Sequence, residues 1–159
     1  MTSAEAERPA RVAVIGAADA DDDEYSVALA LGSALAERGA IVVCGGRGGV
    51  MEAVSRGAHD AGGIVVGILP GREEAGANEW VTIPLATGMG EARNALVVRG
   101  GQAVVSVGGG WGTLSEIALA RKMGRPVATL GRPPAAGLDL PAPPDAESAA
   151  EWAIAAARV

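Results

Sequence analysis

Short runs of β-branched residues alternate with helical stripes along this chain, and glycine-rich turns join them. The patterns predict strands at 11–15, 41–44, 64–69, 80–84, 103–107 and 126–130, and helices at 27–35, 50–61, 90–99, 113–123 and 145–158. Continuous apolar strands are typical of a parallel sheet that is covered on both faces. The alternation therefore predicts an α/β fold with a doubly wound, mainly parallel sheet and helices on both faces.

The length of 159 residues suits one buried core. Residues 1–10 carry charges and no apolar run, so they are predicted to be a flexible N-terminus. Residues 131–144 contain five prolines and read as a connector, after which Asp145 can cap a C-terminal helix over 145–158. We therefore expect a single nucleotide-binding-type domain over residues 1–159.

Charge and composition exclude several classes of function. A formal net charge of −6 opposes a broad electrostatic grip on nucleic acid or anionic lipid. The sequence lacks a secretory signal and a run of about 18 apolar residues, so neither export nor a membrane span is expected. The single cysteine, Cys44, rules out an internal disulfide framework and the usual zinc spacings. We expect a cytoplasmic protein without a nucleic-acid or membrane partner, a metal or a resident cofactor.

Two glycine loops, at 45–49 and 108–112, each follow a predicted strand and lead into a helix. Helix N-termini in such positions favour anions. The turn after Ile15 is a poor phosphate site because acidic residues at 19–24 follow it. A tight turn needs glycine even without a ligand, so either loop alone has a structural explanation, but the two together indicate an anion site. Neither loop has the Lys-Ser or Lys-Thr of a triphosphate cradle, and no G-x-G-x-x-G dinucleotide fingerprint follows the first strand.

Arg93 and Glu116 are the charged residues of most interest. Arg93 is predicted to share an inward helix face with Leu96 and Val97, where a guanidinium needs either a bound anion or a carboxylate such as Glu91 or Glu116. Glu116 ends a Thr-Leu-Ser-Glu capping box that starts at Thr113. The same position places a carboxylate near a ligand, where it could engage ribose. The sequence leaves these alternatives open.

Three other side chains have ordinary explanations. Cys44 has no histidine near it in sequence and is predicted to be a small buried group, not a nucleophile. His59 lies opposite the apolar stripe of its helix and is predicted to be a solvated side chain. Lys122, the only lysine, lies late in its helix and away from the glycine loops, which argues against a pyridoxal-phosphate-dependent lysine decarboxylase. Trp111 is predicted to be a wall of the ligand pocket or a subunit contact.

Three motifs resemble the Lonely guy superfamily: the segment from Gly109 to Glu116, the pair Arg93-Asn94 and the segment from Gly45 to Met51. The resemblance extends over 12–130 and implies a Rossmann-like fold, a homodimer or homotetramer, and a phosphoribohydrolase that releases a base from a nucleoside 5′-monophosphate. It also implies that Arg93 and Glu116 are catalytic. Predicted ligand-binding residues are Gly45, Gly46, Gly49, Met51, Asn94, Gly108, Gly109, Gly110, Trp111, Gly112 and Thr113.

The chain departs from the motif of the hydrolases at three positions. Gly108 replaces a proline, Ser115 replaces the first of two glutamates, and Asn94 stands where lysine is usual. These features resemble a sister branch that includes the molybdenum-cofactor carrier protein, which binds a phosphorylated pterin without consuming it. The sequence thus predicts a phosphorylated ligand, either an AMP-like nucleotide or molybdopterin. A purely structural or partner-binding module is the third alternative.

Overall fold

The computed structural model describes residues 2–159 and contains a six-stranded, all-parallel sheet. The strands are β1 (Arg11–Gly16), β2 (Ile41–Cys44), β3 (Val65–Leu69), β4 (Ile83–Ala86), β5 (Ala103–Val107) and β6 (Val127–Leu130). The helices are α1 (Ser3–Glu7), α2 (Asp22–Glu37), α3 (Val50–Asp60), α4 (Asn94–Gly100), α5 (Trp111–Lys122) and α6 (Ala146–Ala157). Short 3₁₀ turns occupy Glu74–Gly76 and Gly90–Arg93. The predicted Rossmann-like α/β fold is confirmed.

The strand order is β4-β3-β2-β1-β5-β6, so the direction of winding reverses between β1 and β5. The two strands pair in register from Val12 with Ala103 to Gly16 with Val107. Their carboxyl ends therefore stop side by side, and the chain leaves them in opposite directions. A doubly wound sheet binds ligands in the crevice that this divergence opens.

Two apolar cores lie on the two faces of the sheet. One core joins the strands to α2, α3 and α6, and its fully buried side chains include Val14, Leu31 and Val54. The other joins the strands to α4 and α5 through Val97 and Ile117. Both faces are thus helix-covered, which explains why the central strands are apolar without alternation.

Some predicted element boundaries are wrong. The short helix α1, which was not predicted, lies in the N-terminal segment, and Thr2 and Glu5 form its capping box. The flexibility of residues 1–10 stays a prediction, and Met1 lies outside the described residues. The single helix expected at 90–99 is a 3₁₀ turn followed by α4, so Leu96 is exposed while Val97 is buried. The fourth strand begins at Ile83, not at residue 80.

In residues 2–159, none of the helices combines the length and the apolar character that a bilayer crossing requires.

Candidate functional site

A cleft of about 580 Å³ opens beyond the carboxyl ends of the central strands. This size suits a ligand of nucleotide dimensions. The loop after β1, the loop after β2 and the N-terminus of α5 form its walls, and the 3₁₀ turn at Gly90–Arg93 lies against it. The lining residues are Val14, Ile15, Gly16, Ala17, Ala18, Gly45, Arg47, Gly48, Met51, Pro70, Glu91, Arg93, Asn94, Val97, Gly110, Gly112, Thr113 and Glu116.

The two helices that follow the glycine loops begin without a side-chain cap. Gly49 precedes α3 and Gly110 precedes α5, and neither has a side chain that could accept a hydrogen bond from the first turn. By contrast, Asp21 caps α2 and Asp145 caps α6. At the start of α3 the backbone N–H of Val50 already donates to the carbonyl of Ala17 over 2.9 Å. The following α3 amides and the first-turn amides of α5 are therefore the donors left for an anion at the cleft, whereas Asp21 already occupies the N-terminus of α2.

The predicted capping box at Thr113 and Glu116 is wrong. Helix α5 begins two residues earlier, at Trp111, so Thr113 lies inside the first turn and its side chain is buried against Gly109. Glu116 makes no hydrogen bond to the helix start among the described residues. Capping therefore does not explain Glu116, and its carboxyl group is free to face the cleft.

Arg93 ends the 3₁₀ turn and its guanidinium lies half-buried in the cleft wall. Its Nη1 donates to Oδ1 of Asn94, while its buried Nε has no hydrogen-bond partner among the described residues. None of the ion pairs formed by the described side chains involves Arg93. Burial lowers the pKa of the Arg93 guanidinium, and Glu116 opposes that shift. The structure thus leaves the guanidinium without the carboxylate pair that would make it a purely structural charge.

Gly45 makes room for this guanidinium. A Cβ atom at Gly45 would lie 2.9 Å from Nη2 of Arg93 and 2.5 Å from Sδ of Met51. Both distances are shorter than real van der Waals contacts, so any larger residue would displace the ends of these two side chains. The absence of a side chain at Gly45 therefore allows the ends of the Arg93 and Met51 side chains to occupy their positions in the cleft lining.

Glu116 lies half-buried one and a half turns into α5, on the cleft wall with Arg93. Burial raises the pKa of the Glu116 carboxyl to about 7, and the positive charge of Arg93 opposes the shift. This carboxyl group is therefore partly protonated at neutral pH. It can donate a hydrogen bond when neutral and stabilise a positive charge when ionised.

Sequence reasoning missed several lining residues, of which Arg47 is the most important. Arg47 projects from the β2–α3 glycine loop, is exposed and belongs to the cleft wall together with Gly48. The structure brings this second guanidinium to the same cleft as Arg93. An arginine between two pairs of glycines is the signal that could have identified it. The turn after β1, which we expected to be a poor phosphate site, also lines the cleft through Gly16, Ala17 and Ala18.

Five predicted ligand residues lie outside the cleft lining: Gly46, Gly49, Gly108, Gly109 and Trp111. The four glycines lie in the two glycine loops and have positive φ values. Trp111 is 88% exposed, so in this chain it is not a wall of the cleft.

The backbone explains why position 108 is glycine in this chain, where the hydrolase motif has proline. Its φ of 58° is outside the range that proline can adopt. A Cβ atom at this position would also overlap the carboxylate of Glu24, which packs against the loop from the first turn of α2. Glycine is therefore required here by the backbone conformation and by the acidic neighbour together.

The sequence of the chain is similar to that of a known plant protein. The chain is 39% identical over 119 residues to a probable cytokinin riboside 5′-monophosphate phosphoribohydrolase of Oryza sativa subsp. japonica, and the match covers 70% of this chain and 48% of that protein. The chain thus spans about half the length of the rice relative.

Two solved structures are similar over nearly their whole length. The molybdenum cofactor binding protein of Rippkaea orientalis superposes with a TM-score of 0.86 at 33% identity, covering 92% of this chain and 96% of that chain. The molybdenum cofactor carrier protein of Chlamydomonas reinhardtii superposes with a TM-score of 0.85 at 34% identity, covering 96% of this chain and 100% of that chain.

These similarities confirm the resemblance that the glycine motifs, Arg93 and Glu116 suggested. The sequence model of the SLOG cluster4 family matches residues 9–151, which includes every strand of the sheet and both glycine loops. The chain therefore belongs to the SLOG cluster4 family.

Proposed function

We propose that the chain binds a phosphorylated, nucleotide-like ligand in the cleft between the ends of β1 and β5. The observation that carries this proposal is the half-buried Arg93 guanidinium, whose buried Nε has no partner among the described residues. The cleft lining that it shares also contains the carboxyl group of Glu116, whose pKa is raised. A buried cation without an ionised partner is unfavourable, so a bound anion would stabilise it.

The remaining parts of the cleft support the same ligand. Arg47 adds a second guanidinium, and the uncapped start of α5, together with the α3 amides that follow Val50, offers backbone N–H donors. Together these groups match a phosphate, which accepts several hydrogen bonds and carries up to two negative charges. The partly exposed lining residues Met51 and Pro70 supply an apolar surface for a planar base or pterin ring.

Hydrolysis of a nucleoside 5′-monophosphate is the catalytic form of this proposal. Water would bond to the anomeric carbon while the carbon–nitrogen bond breaks, and the departing base would take up a proton, giving free base and ribose 5-phosphate. Arg93 would hold the phosphate and align the sugar. Ionised Glu116 would engage the ribose and stabilise the oxocarbenium-like transition state. The similarity to the rice phosphoribohydrolase supports this form.

Binding without turnover is the second candidate. The two molybdenum-cofactor proteins match this chain over more than nine-tenths of their own length, whereas the match covers 48% of the rice protein. A phosphorylated pterin would use the same guanidiniums and amides, and no bond would break. In this form the chain carries or buffers its ligand in the cytoplasm.

Calorimetry and product analysis test both forms. We expect wild-type protein to bind AMP, Arg93→Ala to lose at least about tenfold in affinity, and the exposed arginine variant Arg99→Ala to bind like wild type. Equal AMP affinity in all three proteins would refute the cleft proposal. Chromatography after incubation with AMP or isopentenyl-adenosine monophosphate should detect free base if the chain is a hydrolase. Binding without base release, together with a pterin in native mass spectra, would favour the carrier.

We also propose that the chain forms a homo-oligomer through an uncovered sheet face. Pairing with β3 places Ile83 and Leu85 of the edge strand on the α4/α5 side, beside Val66 and Ile68. Ile83 is 45% and Leu85 48% exposed, because α4 lies over β1 and β2 and leaves the edge strand open. A contiguous apolar surface of this kind is typical of a subunit interface.

A further inference from the structure

We propose that Asn78 is a positioning residue that fixes the glycine loop so that Arg47 faces the ligand. This inference rests on the proposed function of the cleft. Asn78 does not line the cleft and lies in the β3–β4 connection, a segment that the sequence presents only as a polar surface loop.

Asn78 holds two consecutive carbonyl groups of the glycine loop. Its backbone N–H donates to the carbonyl of Gly46 over 2.8 Å, and its side-chain Nδ2 donates to the carbonyl of Arg47 over 2.9 Å. Its Oδ1 accepts from the backbone N–H of Trp80 over 3.0 Å. The amide thus bridges the glycine loop and its own loop, with a donor on one side and an acceptor on the other.

A buried serine extends this link beneath the cleft floor. Nδ2 of Asn78 also lies 3.4 Å from Oγ of Ser55, whose side chain is fully buried. Oγ of Ser55 donates to the carbonyl of Met51 over 2.6 Å and lies 3.5 Å from Sγ of Cys44. The loop is therefore attached at Gly46, at Arg47 and, through Ser55, at Met51.

This attachment matters because no hydrogen bond or ion pair to the rest of the described chain directs the side chain of Arg47. Its side chain is exposed, and the ion pairs formed by the described side chains do not include it. The direction of the guanidinium therefore depends on the backbone from which it projects. A fixed backbone lowers the entropy that the loop loses when a ligand binds. Aspartate has the shape of asparagine but lacks the donor, so it would place an oxygen against the Arg47 carbonyl.

A double-mutant cycle with AMP as the probe tests the inference. We expect Asn78→Ala and Asn78→Asp each to weaken AMP binding about 3- to 10-fold, the range that one or two net hydrogen bonds provide. In an Arg47→Ala background, Asn78→Ala should weaken binding by less than about twofold, because the residue acts through Arg47. Full additivity of the two substitutions, or unchanged affinity in Asn78→Ala, would overturn the inference.

Gln102→Ala is the matched control. Oε1 of Gln102 accepts from the backbone N–H of Arg11 over 3.0 Å at the opposite end of the sheet, so its loss removes a similar bond far from the cleft. We expect AMP affinity within about twofold of wild type for this variant.

Hydrogen exchange of residues 45–51 without ligand separates the two proposals. Faster exchange in Asn78→Ala than in wild type supports the positioning role, and unchanged exchange contradicts it. If wild-type protein does not bind AMP, the proposed function fails for this ligand while hydrogen exchange still decides whether Asn78 fixes the loop.

Discussion

Replacing Glu116 by glutamine should make the protein more stable at neutral and alkaline pH. The fold raises the pKa of this carboxyl from 4.5 to about 7, mainly by burial, with Arg93 opposing the shift. The folded state therefore binds the proton more tightly than the unfolded chain. The stability that this proton contributes is fully present below about pH 4.5 and is lost as the pH rises through about 7.

The size of the effect follows from the shift. One pKa unit corresponds to about 1.4 kcal/mol, so a shift from 4.5 to about 7 corresponds to about 3 kcal/mol. Glutamine keeps the shape of the protonated side chain and does not titrate. The free energy of unfolding of Glu116→Gln should therefore exceed that of wild type by about 3 kcal/mol above pH 8, and the difference should shrink toward pH 5.

Urea denaturation at unit intervals between pH 5 and pH 9 measures this difference. All other titrating groups are common to both proteins, so their contributions cancel in the comparison. Ser115→Ala, a non-titrating change on the same turn of α5, is the control and should differ from wild type by a constant amount. A constant difference between Glu116→Gln and wild type across the whole range would refute the reasoning.

Three further substitutions test the geometry of the cleft and the proposed subunit interface. Gly45→Ala should push the Arg93 guanidinium aside and weaken AMP binding about tenfold in calorimetry, with a change in unfolding free energy below about 1 kcal/mol; intact affinity would contradict it. Gly108→Pro should lower stability by more than about 1 kcal/mol in thermal melts, because its φ of 58° and Glu24 both exclude a ring. If the proposed homo-oligomer forms through the edge strand, Leu85→Lys should lower the mass measured by light scattering relative to wild type, and an unchanged mass would contradict that interface.

The strands and their turns could be predicted because their signals are local. An apolar run rich in β-branched residues that ends in glycine, as in β1 (Arg11–Gly16), predicts a buried parallel strand from local residues alone. The predicted position of the edge strand β4 is wrong by about three residues at its start. The strand is exposed and has the weakest apolar pattern, and Pro84 interrupts that pattern. The sequence predicts one helix where the structure has a 3₁₀ turn followed by α4, because the apolar residues of both elements recur at helical spacing.

The site was predictable in its residue types and less so in its assembly. Arg93 and Glu116 carry signals of their own, and the structure places both on one cleft wall. The capping motif at Thr113 is a local rule, and it failed because bare glycines let α5 begin earlier, which buries the threonine. Asn78 and Arg47 belong to different loops, so their juxtaposition depends on the order of the strands and has no signal in sequence.

The charge balance of the cleft connects the two candidate functions. If the proposed phosphate binds in the cleft, its negative charge would raise the pKa of the Glu116 carboxyl further and favour the neutral form. A neutral carboxyl can donate a hydrogen bond to a sugar or pterin hydroxyl, but it does not stabilise an oxocarbenium-like transition state. In the carrier form, retention of the ligand would therefore be strongest at pH values below this further raised pKa, and in the hydrolase form turnover would require the ionised carboxyl at pH values above it. The two candidate functions thus predict opposite pH dependences from the same two side chains, Arg93 and Glu116. In the carrier, ligand affinity falls as the pH rises; in the hydrolase, the rate of base release rises with pH.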